Sequence, residues 1–266
     1  MIYRLLLLIF STTLAAEPFF YVVIPSYNNE AWCIKNLESV ATQNYPDWKA
    51  VVINDCSTDK TGLLLEKYVR EKNLSGKVQI IHNRKRQGML SNIYHAVEKC
   101  DPSWVVATLD GDDWLKDATV LQYLAGIYQD KSIWMTYGSW VSDPIGARPC
   151  ICAEFPPDVI KKNQFRSHQY ISSQLRTFYA GLFQKIKKED FQHKGKFFMA
   201  AGDVAFMIPL LEMSQNGHFY YVKEPIYVYN VQNPLNDFRA HAALQYECYS
   251  KIKAKKPYTP LKNRTW

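Results

Sequence analysis

The sequence changes from apolar to acidic within Trp104-Val105-Val106-Ala107-Thr108-Leu109-Asp110-Gly111-Asp112-Asp113-Trp114, and this stretch decides the fold. Its first six residues form an apolar run that is typical of a buried strand. The three carboxylates that follow repel one another, so they favour a bound cation. Mg²⁺ and Mn²⁺ take one or two carboxylates and complete their shell with phosphates and water. The stretch predicts a metal-diphosphate site at the carboxyl end of a strand, where α/β proteins bind ligands.

Two other structures can contain such an acidic stretch. Asp and Gly are common in surface turns, so an ordinary turn stays an alternative. A calcium-binding loop between two helices fits poorly, because counting Asp110 as position one puts Trp114 at position five and Leu121 at position twelve. Position twelve of such a loop requires an oxygen ligand.

The chain has 266 residues, of which 47% are hydrophobic and 21% charged, as in ordinary globular proteins. This length suits one large α/β domain, or one domain with an appended subdomain. The formal charge is +7, and much of the basic excess lies in residues 185–196 and 251–264. Such runs can attract anionic lipid or polyanions, and a solvated basic face is the simpler explanation. We expect no nucleic-acid partner, and membrane association through the N-terminus or the basic tail is an open alternative.

Residues 1–16 have the pattern of a secretory signal peptide. Arg4 precedes a short apolar core, and small residues follow, so cleavage is expected near Ala15 or Ala16. The pattern predicts an exported or lumenal protein, and the early positive charge favours the same direction. The alternative is an uncleaved N-terminal membrane anchor with the body of the protein in the cytoplasm.

Six cysteines are consistent with an oxidising compartment but do not establish one. They are Cys33, Cys56, Cys100, Cys150, Cys152 and Cys248. No pair has zinc-ribbon spacing, and Cys150-Ile151-Cys152 is too tight to be a metal knuckle by itself. Free thiols at several positions are therefore expected.

From Phe19 the chain alternates between predicted strands and helices, which indicates a parallel sheet with right-handed crossovers. The predicted strands are 21–24, 50–53, 78–81 and 104–109, and the predicted helices are 30–42, one from 59, 89–97 and 117–128. Farther on, the patterns predict strands at 133–141, 219–222 and 226–231, and helices at 166–187, 202–213 and 240–252. The glycine-rich dinucleotide fingerprint is missing after the first strand, which argues against a nicotinamide enzyme.

Polar residues follow three of these strands. The segments are Pro25-Ser26-Tyr27-Asn28-Asn29-Glu30, Asn54-Asp55-Cys56-Ser57-Thr58-Asp59 and Asp110-Gly111-Asp112-Asp113. In this order and at these spacings they resemble the inverting glycosyltransferase family 2, over residues 21–115 and more loosely to 237. The resemblance implies an α/β protein of the GT-A fold, with a Rossmann-like, mostly parallel sheet flanked by helices and a C-terminal acceptor-side elaboration of helices and strands.

The N-terminal pattern and the resemblance together predict an organisation along the chain. A signal peptide or N-terminal anchor occupies 1–16, and a glycosyltransferase GT-A domain occupies 19–237. Within this domain, 19–115 is the nucleotide-binding half and 116–237 the acceptor half. A C-terminal helix and basic tail follow at 238–266.

Several residues match positions that bind the nucleotide in this family. Pro25, Tyr27 and Asn29 belong to the nucleotide-contacting turn after the first strand, where the aromatic ring can pack on a pyrimidine base. Asp55 matches the carboxylate that accepts a hydrogen bond from the base, which favours uracil. The resemblance therefore implies a UDP-sugar as the donor.

The acidic stretch matches the family's Asp-x-Asp motif. Asp110 matches the carboxylate near the ribose, and Asp112 matches the ligand of a divalent metal, Mn²⁺ or Mg²⁺. Such an ion would stabilise a dianionic leaving group by neutralising the charge that grows in the transition state.

Asp203, in the segment Ala201-Gly202-Asp203-Val204, matches the family's catalytic base near a helix start. An inverting transfer needs one carboxylate that takes the proton of the acceptor hydroxyl. A plain helix N-cap is the alternative explanation for this aspartate. Asp113 is the second candidate for the base, and Glu212 is the third.

The sequence departs from the family pattern at several points. Asn54 replaces the first carboxylate of an Asp-Asp pair, and Ser91 replaces a frequent arginine of the third helix. Arg84 or Arg86 is a candidate to reach the phosphates instead, with a solvated loop as the alternative. The Gln-x-x-Arg-Trp signature of processive polymer synthases is absent, which implies transfer of a single sugar.

The expected function is transfer of one hexosyl or N-acetylhexosaminyl group from a nucleotide sugar to a hydroxyl of an unidentified glycan, lipid or protein. One alternative is a catalytically silent nucleotide-sugar or glycan-binding protein on the same fold. The other is a nucleotidyltransferase, although the turn at 25–30 lacks the glycine-rich, basic loop that usually grips a triphosphate.

Overall fold

A sheet of eight strands, flanked by helices, forms the body of the computed structural model, which describes residues 17–234 and 242–266. Its strands are β1 (Phe20–Ser26), β2 (Trp48–Asn54), β3 (Val78–His82), β4 (Val105–Thr108), β5 (Trp114–Leu115), β6 (Met135–Asp143), β7 (Arg176–Tyr179) and β10 (Phe219–Asn230), and β8 (Gln192–His193) and β9 (Lys196–Phe197) form a separate hairpin. The helices are α1 (Cys33–Ala41), α2 (Thr61–Glu71), α3 (Met89–Val97), α4 (Val120–Tyr128), α5 (Pro157–Lys161), α6 (Ala180–Phe183), α7 (Gly202–Met213) and α8 (Ala242–Lys253), with a short 3₁₀ helix at Lys188–Phe191. The segment 1–16, predicted as a signal peptide or anchor, and the predicted boundary at 237 lie outside the described residues.

The sheet order is β3-β2-β1-β4-β7-β6-β10-β5. In its first half, β1 pairs in parallel with β2 and β4, and β2 pairs in parallel with β3, which confirms the predicted parallel arrangement. The first three helices make the connections between these strands. Because parallel strands end at the same edge of a sheet, the polar turns after β1, β2 and β4 lie side by side.

The helix predicted at 166–187 is wrong. Arg176–Tyr179 forms strand β7, which is fully buried and lies antiparallel between β4 and β6. A strand that is buried on both faces has no alternation of apolar and polar residues, so its apolar positions also fit a helical period. The four-residue helix α6 follows directly after this strand.

The two strands predicted at 219–222 and 226–231 are one strand, β10. Register shifts on both sides of Pro225 mark an irregularity there, where the residue cannot donate a ladder hydrogen bond. The strand pairs in parallel with β6 and antiparallel with β5, the short strand that follows the acidic stretch. It therefore links the second half of the chain to the acidic stretch.

Helix α7 is confirmed at 202–213, with Pro209 inside it, and it is the most enclosed helix of the site. Of its twelve residues, Asp203 alone is not fully buried. The C-terminal helix α8 packs against α7. In the described parts of the chain, we find no helix with the length and apolar character needed to cross a membrane.

Candidate functional site

The loop at residues 109–113, which we call the acidic loop, lies against the end of β1 and against α1. The side-chain amide of Asn36 on α1 donates to the carbonyl oxygens of Asp110, at 2.9 Å, and Asp113, at 2.7 Å. Gly111 lies so close to β1 that an added Cβ would be 2.8 Å from the carbonyl oxygen of Pro25. Any side chain at this position would push the acidic loop away from the strand.

Asp113 fixes the acidic loop in place. It is 1% exposed, and its carboxylate accepts a 2.6 Å hydrogen bond from the hydroxyl of Tyr227 and a 2.7 Å hydrogen bond from the backbone N–H of Asn230. Burial, followed by the charges of Asp112 and Asp110, raises the pKa of Asp113 well above the usual aspartate value. Because β10 binds both of its oxygens and only 1% of the residue is exposed, Asp113 is a weaker candidate for the base than a more accessible carboxylate.

A cavity of about 210 Å³ opens beside the acidic loop, and we call it the acidic-loop cavity. It brings together the six residues that the sequence assigns to the nucleotide and the metal. They are Pro25, Tyr27, Asn29, Asp55, Asp110 and Asp112. Their individual roles stay predictions, but all six line one cavity at the carboxyl edge of the sheet.

Asp55 supports the wall of this cavity. Its carboxylate accepts hydrogen bonds from Asn83 Nδ2 at 2.7 Å and from the backbone N–H groups of Gln87 and Gly88, both at 2.8 Å. A carboxylate has about four acceptor positions, so one position is left for a ligand after these three bonds. Asp55 therefore both orders the loop that precedes α3 and offers an oxygen to the cavity.

Asn29 is also tied into the protein. Its backbone N–H donates to Thr61 Oγ1 at 2.8 Å, and its side-chain amide donates to Ser26 Oγ at 3.1 Å. Asn233, from the segment after β10, donates to Asn29 Oδ1 at 3.4 Å and to Asp112 Oδ2 at 2.7 Å. The turn after β1 and the acidic loop are thus connected through one asparagine from the far end of the fold.

An arginine covers the aromatic ring in this cavity. The guanidinium carbon of Arg86 lies 4.0 Å from the centroid of the Tyr27 ring, which is a cation–π contact. Of the two arginines that the sequence offered as phosphate ligands, Arg86 lines the acidic-loop cavity. Arg84 lines a different depression, next to β3 and α3.

Asp203 lies in a second cavity of about 320 Å³, which we call the α7 cavity. Arg176 Nη2 of β7 donates to Asp203 Oδ2 at 2.8 Å, and the side chain of the arginine is 4% exposed while that of the aspartate is 19% exposed. The ion pair orients the carboxylate and leaves part of it accessible. The N-cap alternative is wrong, because Ala201 is the N-cap and Asp203 lies inside the first turn.

The backbone around Asp203 is constrained. Ala201 has φ of +51°, in the left-handed region that residues with a Cβ disfavour. An added Cβ at Gly202 would lie 2.9 Å from Leu90 Cβ on α3, so α7 begins in close contact with that helix. Strained backbone of this kind persists where the surrounding structure enforces it, and it clusters at functional sites.

The two cavities meet at Met89, Asp110 and Tyr229, which line both of them. Gln174, which lines the α7 cavity, donates through Nε2 to Asp110 Oδ2. Asp110 therefore stands between the acidic-loop cavity on one side and the ion pair of Asp203 on the other.

Glu212, the third candidate for the base, has a structural role. It is fully buried, and its Oε1 lies 2.7 Å from Arg166 Nε in an ion pair. Its Oε2 accepts a 2.9 Å hydrogen bond from the backbone N–H of Tyr258. Glu212 lines neither cavity and instead anchors the C-terminal segment to α7.

A divalent cation fits the acidic loop if a ligand supplies further oxygens. All three carboxylates line the cavity, but Asp110 and Asp112 are partly exposed there, whereas Asp113 is buried and bonded to β10. Within residues 17–234 and 242–266, no three His, Cys, Asp or Glu side chains are placed to hold a metal by themselves. Mg²⁺ and Mn²⁺ typically bind to one or two protein carboxylates, and substrate phosphates and water fill the remaining coordination positions of the ion.

Several residues of the site carry no recognisable signal in the sequence. Gln174, Tyr227, Tyr229 and Asn233 come from β10, from the segment after it, or from the turn before β7, far along the chain from the acidic loop. Arg176 is the exception, because a lone arginine within an apolar run indicates a buried ion pair with a carboxylate elsewhere in the chain.

The parallel half-sheet, with a cavity at its carboxyl edge and an acidic loop after β4, defines a nucleotide-binding α/β protein of the GT-A fold. Two solved structures agree. TarS 1–349 of S. aureus in complex with UDP-GlcNAc matches with a TM-score of 0.65 and 19% identity, covering 88% of this chain and 65% of that one. The mannosyltransferase PcManGT of Pyrobaculum calidifontis, in complex with GDP-Man and Mn²⁺, matches with a TM-score of 0.54 and 16% identity, covering 83% and 59%. At these identities the likeness establishes the fold.

The chain belongs to Glycosyl transferase family 2, whose profile matches residues 21–190, more than half of its length. It is 30% identical over 102 residues to the putative teichuronic acid biosynthesis glycosyltransferase TuaG of Bacillus subtilis, which is 38% of this chain and 39% of that protein. It is 32% identical over 115 residues to the poly(ribitol-phosphate) beta-N-acetylglucosaminyltransferase TarS of Staphylococcus aureus, which is 42% of this chain and 19% of that protein. The matched parts are well under two thirds of either relative.

Proposed function

We propose that this protein transfers a single sugar, with inversion, from a UDP-sugar to a hydroxyl acceptor. The observation that carries the proposal is the junction of the two cavities at Asp110. The acidic-loop cavity holds the six residues assigned to nucleotide and metal, and the α7 cavity holds Asp203. A donor in the first cavity and an acceptor in the second would meet where the cavities join, which is the geometry that a displacement reaction needs.

The donor base is assigned to the ring of Tyr27 and the carboxylate of Asp55. A pyrimidine can stack on the ring, and the acceptor position that remains on Asp55 can take a hydrogen bond from the N–H of uracil. The UDP-GlcNAc bound to TarS supports uridine, whereas the GDP-Man bound to PcManGT shows that a protein of this fold also binds a guanosine nucleotide.

The N-acetylglucosaminyl group in the name of TarS makes an N-acetylhexosamine the first sugar to test, ahead of hexoses.

Arg86 is assigned to the diphosphate. A guanidinium binds phosphate oxygens more strongly than it binds an aromatic face, because the charges are opposite and the hydrogen bonds are charge-assisted. When the base enters, it competes with Arg86 for the face of Tyr27, so we expect the arginine to turn toward the phosphates. Arg86 would then supply the positive charge that is lost where Ser91 replaces the family's frequent helix arginine.

Replacing Arg86 with alanine is expected to weaken UDP binding by roughly tenfold to a hundredfold, since a charged hydrogen bond contributes about 1.5–3 kcal/mol. Isothermal titration with UDP measures the effect. Arg84→Ala is the matched control, because it removes the same group from the same loop outside the acidic-loop cavity. Equal losses in the two variants would contradict a specific role for Arg86.

Asp112 is assigned to a divalent metal, Mn²⁺ or Mg²⁺, that it would share with the diphosphate, with Asp110 toward the ribose. When bound, such an ion neutralises the charge that develops on the leaving diphosphate. The chain's own residues orient the ligand: Asn233 holds the carboxylate of Asp112, and Gly111 keeps the acidic loop against β1.

Asp203 is assigned as the general base. Its ion pair with Arg176 fixes one carboxylate oxygen, and the exposed part of the side chain faces the cavity where a hydroxyl would sit. The proton of the hydroxyl passes to this carboxylate while the oxygen attacks the anomeric carbon. As the new glycosidic bond forms, the bond between the anomeric carbon and the diphosphate oxygen breaks, and UDP leaves.

A screen of UDP-sugars and GDP-sugars for slow hydrolysis tests the proposal without knowledge of the acceptor, since water can replace the acceptor hydroxyl. We expect UDP release that depends on Mn²⁺ or Mg²⁺ and a free sugar of inverted anomeric configuration. Faster turnover of GDP-sugars would contradict the assignment of uridine. Tight UDP binding without hydrolysis of any donor would instead favour a catalytically silent binding protein.

A further inference from the structure

A pair of cysteines lies on the rim of the α7 cavity. Cys150 is exposed and Cys152 is half-buried, and both are free thiols. Ile151, between them, lines the α7 cavity together with Arg148. Neither thiol has a part in the transfer reaction described above.

The backbone holds the two cysteines in a fixed relation. The backbone N–H of Cys152 donates to Cys150 Sγ at 3.4 Å, so the Cys150 side chain points toward the backbone of Cys152. The carbonyl oxygen of Cys152 accepts a 3.1 Å hydrogen bond from the hydroxyl of Tyr221 on β10, and this hydroxyl also bonds to Ser139 Oγ on β6 at 2.8 Å. Cys152 is thus anchored to the sheet, while Cys150 faces solvent.

The surroundings make the two thiols unequal. A hydrogen bond from the Cys152 thiol, against the opposing effect of burial, lowers the pKa of Cys150 to about 6, with further help from the backbone N–H groups of Trp140 and Cys152 and from the hydroxyl of Ser139. The same hydrogen bond, with burial, raises the pKa of Cys152. The positive charge of Arg176 acts in the opposite direction and lowers the pKa of Cys152. Of the two thiols, Cys150 is therefore the one that loses its proton more readily.

We propose that Cys150 and Cys152 form a site of thiol–disulfide exchange with small-molecule disulfides. The Cys150 thiolate attacks one sulfur of the disulfide RSSR, which forms a mixed disulfide and releases one RS⁻. Cys152 then loses its proton and attacks Cys150 Sγ, which closes the Cys150–Cys152 disulfide and releases the second RS⁻. The two RS⁻ take up the two protons that the cysteines lose, so two protein thiols and one RSSR become one protein disulfide and two RSH, and the small disulfide is the oxidant.

The spacing of the two residues permits this bond. Residues two apart in the chain have Cα atoms at most about 7 Å apart, and disulfides bridge Cα separations of about 4.4–6.8 Å. A thiolate whose pKa lies near ambient pH is both a competent nucleophile and a good leaving group, so the bond should form and be reduced readily.

None of the other four cysteines combines an exposed sulfur with a neighbouring cysteine. Cys33 and Cys100 are buried, and burial raises the pKa of each thiol. Cys248 is buried as well. Cys56 is half-buried, and its Sγ lies 3.6 Å from the carbonyl oxygen of Arg84. Cys56 is therefore the natural control for a partly accessible thiol that has no neighbouring cysteine.

Oxidised glutathione, mixed with the full reduced chain at pH 7, tests the proposal by peptide mass mapping. We expect an internal Cys150–Cys152 disulfide that a reductant reverses. Cys152→Ser should instead trap one glutathione on Cys150, because the serine hydroxyl can still donate to the thiolate but cannot resolve the mixed disulfide. Cys150→Ser should leave residue 152 unmodified, and Cys56→Ser should behave like the wild-type chain.

The pH dependence of the modification rate reports the ionisation of Cys150, which exposure of the sulfur alone would not change. Because a lowered thiol pKa leaves the thiolate present above about pH 6, the rate with Cys152→Ser should fall as the pH drops through 6. Cys152→Ala, which removes the donor, should move this fall to higher pH. Modification spread equally over Cys56 and Cys150, or a Cys150 rate with the pH dependence of an ordinary thiol, would overturn the proposal.

Discussion

Replacing Asp203 with asparagine is expected to lower donor turnover by about 10²–10⁴-fold, the usual contribution of a general base, and to leave UDP binding unchanged. Asparagine keeps the size of the side chain, and its amide oxygen can still accept the hydrogen bond from Arg176. It cannot take a proton from a hydroxyl. UDP binding should persist because Asp203 does not line the acidic-loop cavity. Hydrolysis of a UDP-sugar and isothermal titration with UDP measure the two quantities.

This substitution also leaves a buried arginine without its counter-charge, and breaking a buried ion pair costs about 3–5 kcal/mol. Asp203→Glu is therefore a useful second variant, because it keeps the charge opposite Arg176 and moves the carboxylate by one methylene. Asp158→Asn is the matched control, since it makes the same change on a side chain of α5 that is 82% exposed. An unchanged turnover rate in Asp203→Asn would remove this residue as the base.

The second large effect is expected for Asp112→Asn, which should abolish the metal-dependent part of donor turnover. A catalytic metal contributes several kcal/mol, and each 1.36 kcal/mol is tenfold in rate, so the loss should be at least about a hundredfold. The neutral amide is a weaker ligand than a carboxylate for a hard cation. In titrations, the wild-type chain should bind UDP more tightly with Mn²⁺ than with a chelator, whereas the variant should bind UDP equally in both.

Thermal unfolding separates loss of the metal from loss of the fold. Asp112 is partly exposed, and an amide at this position can still contact Asn233, so we expect the melting temperature to stay close to that of the wild-type chain. Asp158→Asn again serves as the control for the change of charge. If Asp112→Asn kept both the Mn²⁺-dependent gain in UDP affinity and full turnover, the assignment of the metal to Asp112 would be wrong.

The sequence allowed prediction of the first half of the fold because local patterns decide it. Strands β1 to β4 are short apolar runs separated by helices, and such runs pair in parallel with few alternatives. The turns after them carry their polar residues at the strand ends, so the cavity that Tyr27, Asp55 and Asp112 share follows from the strand order alone. This is also the part that the family resemblance covered with the highest specificity.

The second half was harder to predict because its elements are decided by distant partners. Arg176 interrupts an apolar run that fits a helix equally well, and it is tolerated in a buried strand because Asp203, on α7, neutralises it. Asn233 is one residue in a polar segment until β10 brings it to Asp112. The isolated arginine indicates that it has a buried partner, but no local pattern identifies Asp203 as that partner or brings Asn233 to Asp112. The other residues that line the two cavities could therefore not be found from the spacing of motifs.

The anchoring of Asp113 has a consequence for the order of assembly. Its carboxylate depends on Tyr227 and Asn230, which lie 114 and 117 residues farther along the chain. Contacts of such long range form late, because the entropy of closing a long loop must be overcome first. A nascent chain that has folded its parallel strands still holds the acidic carboxylates without these partners. We therefore expect the donor site to mature last, when β10 inserts beside β6.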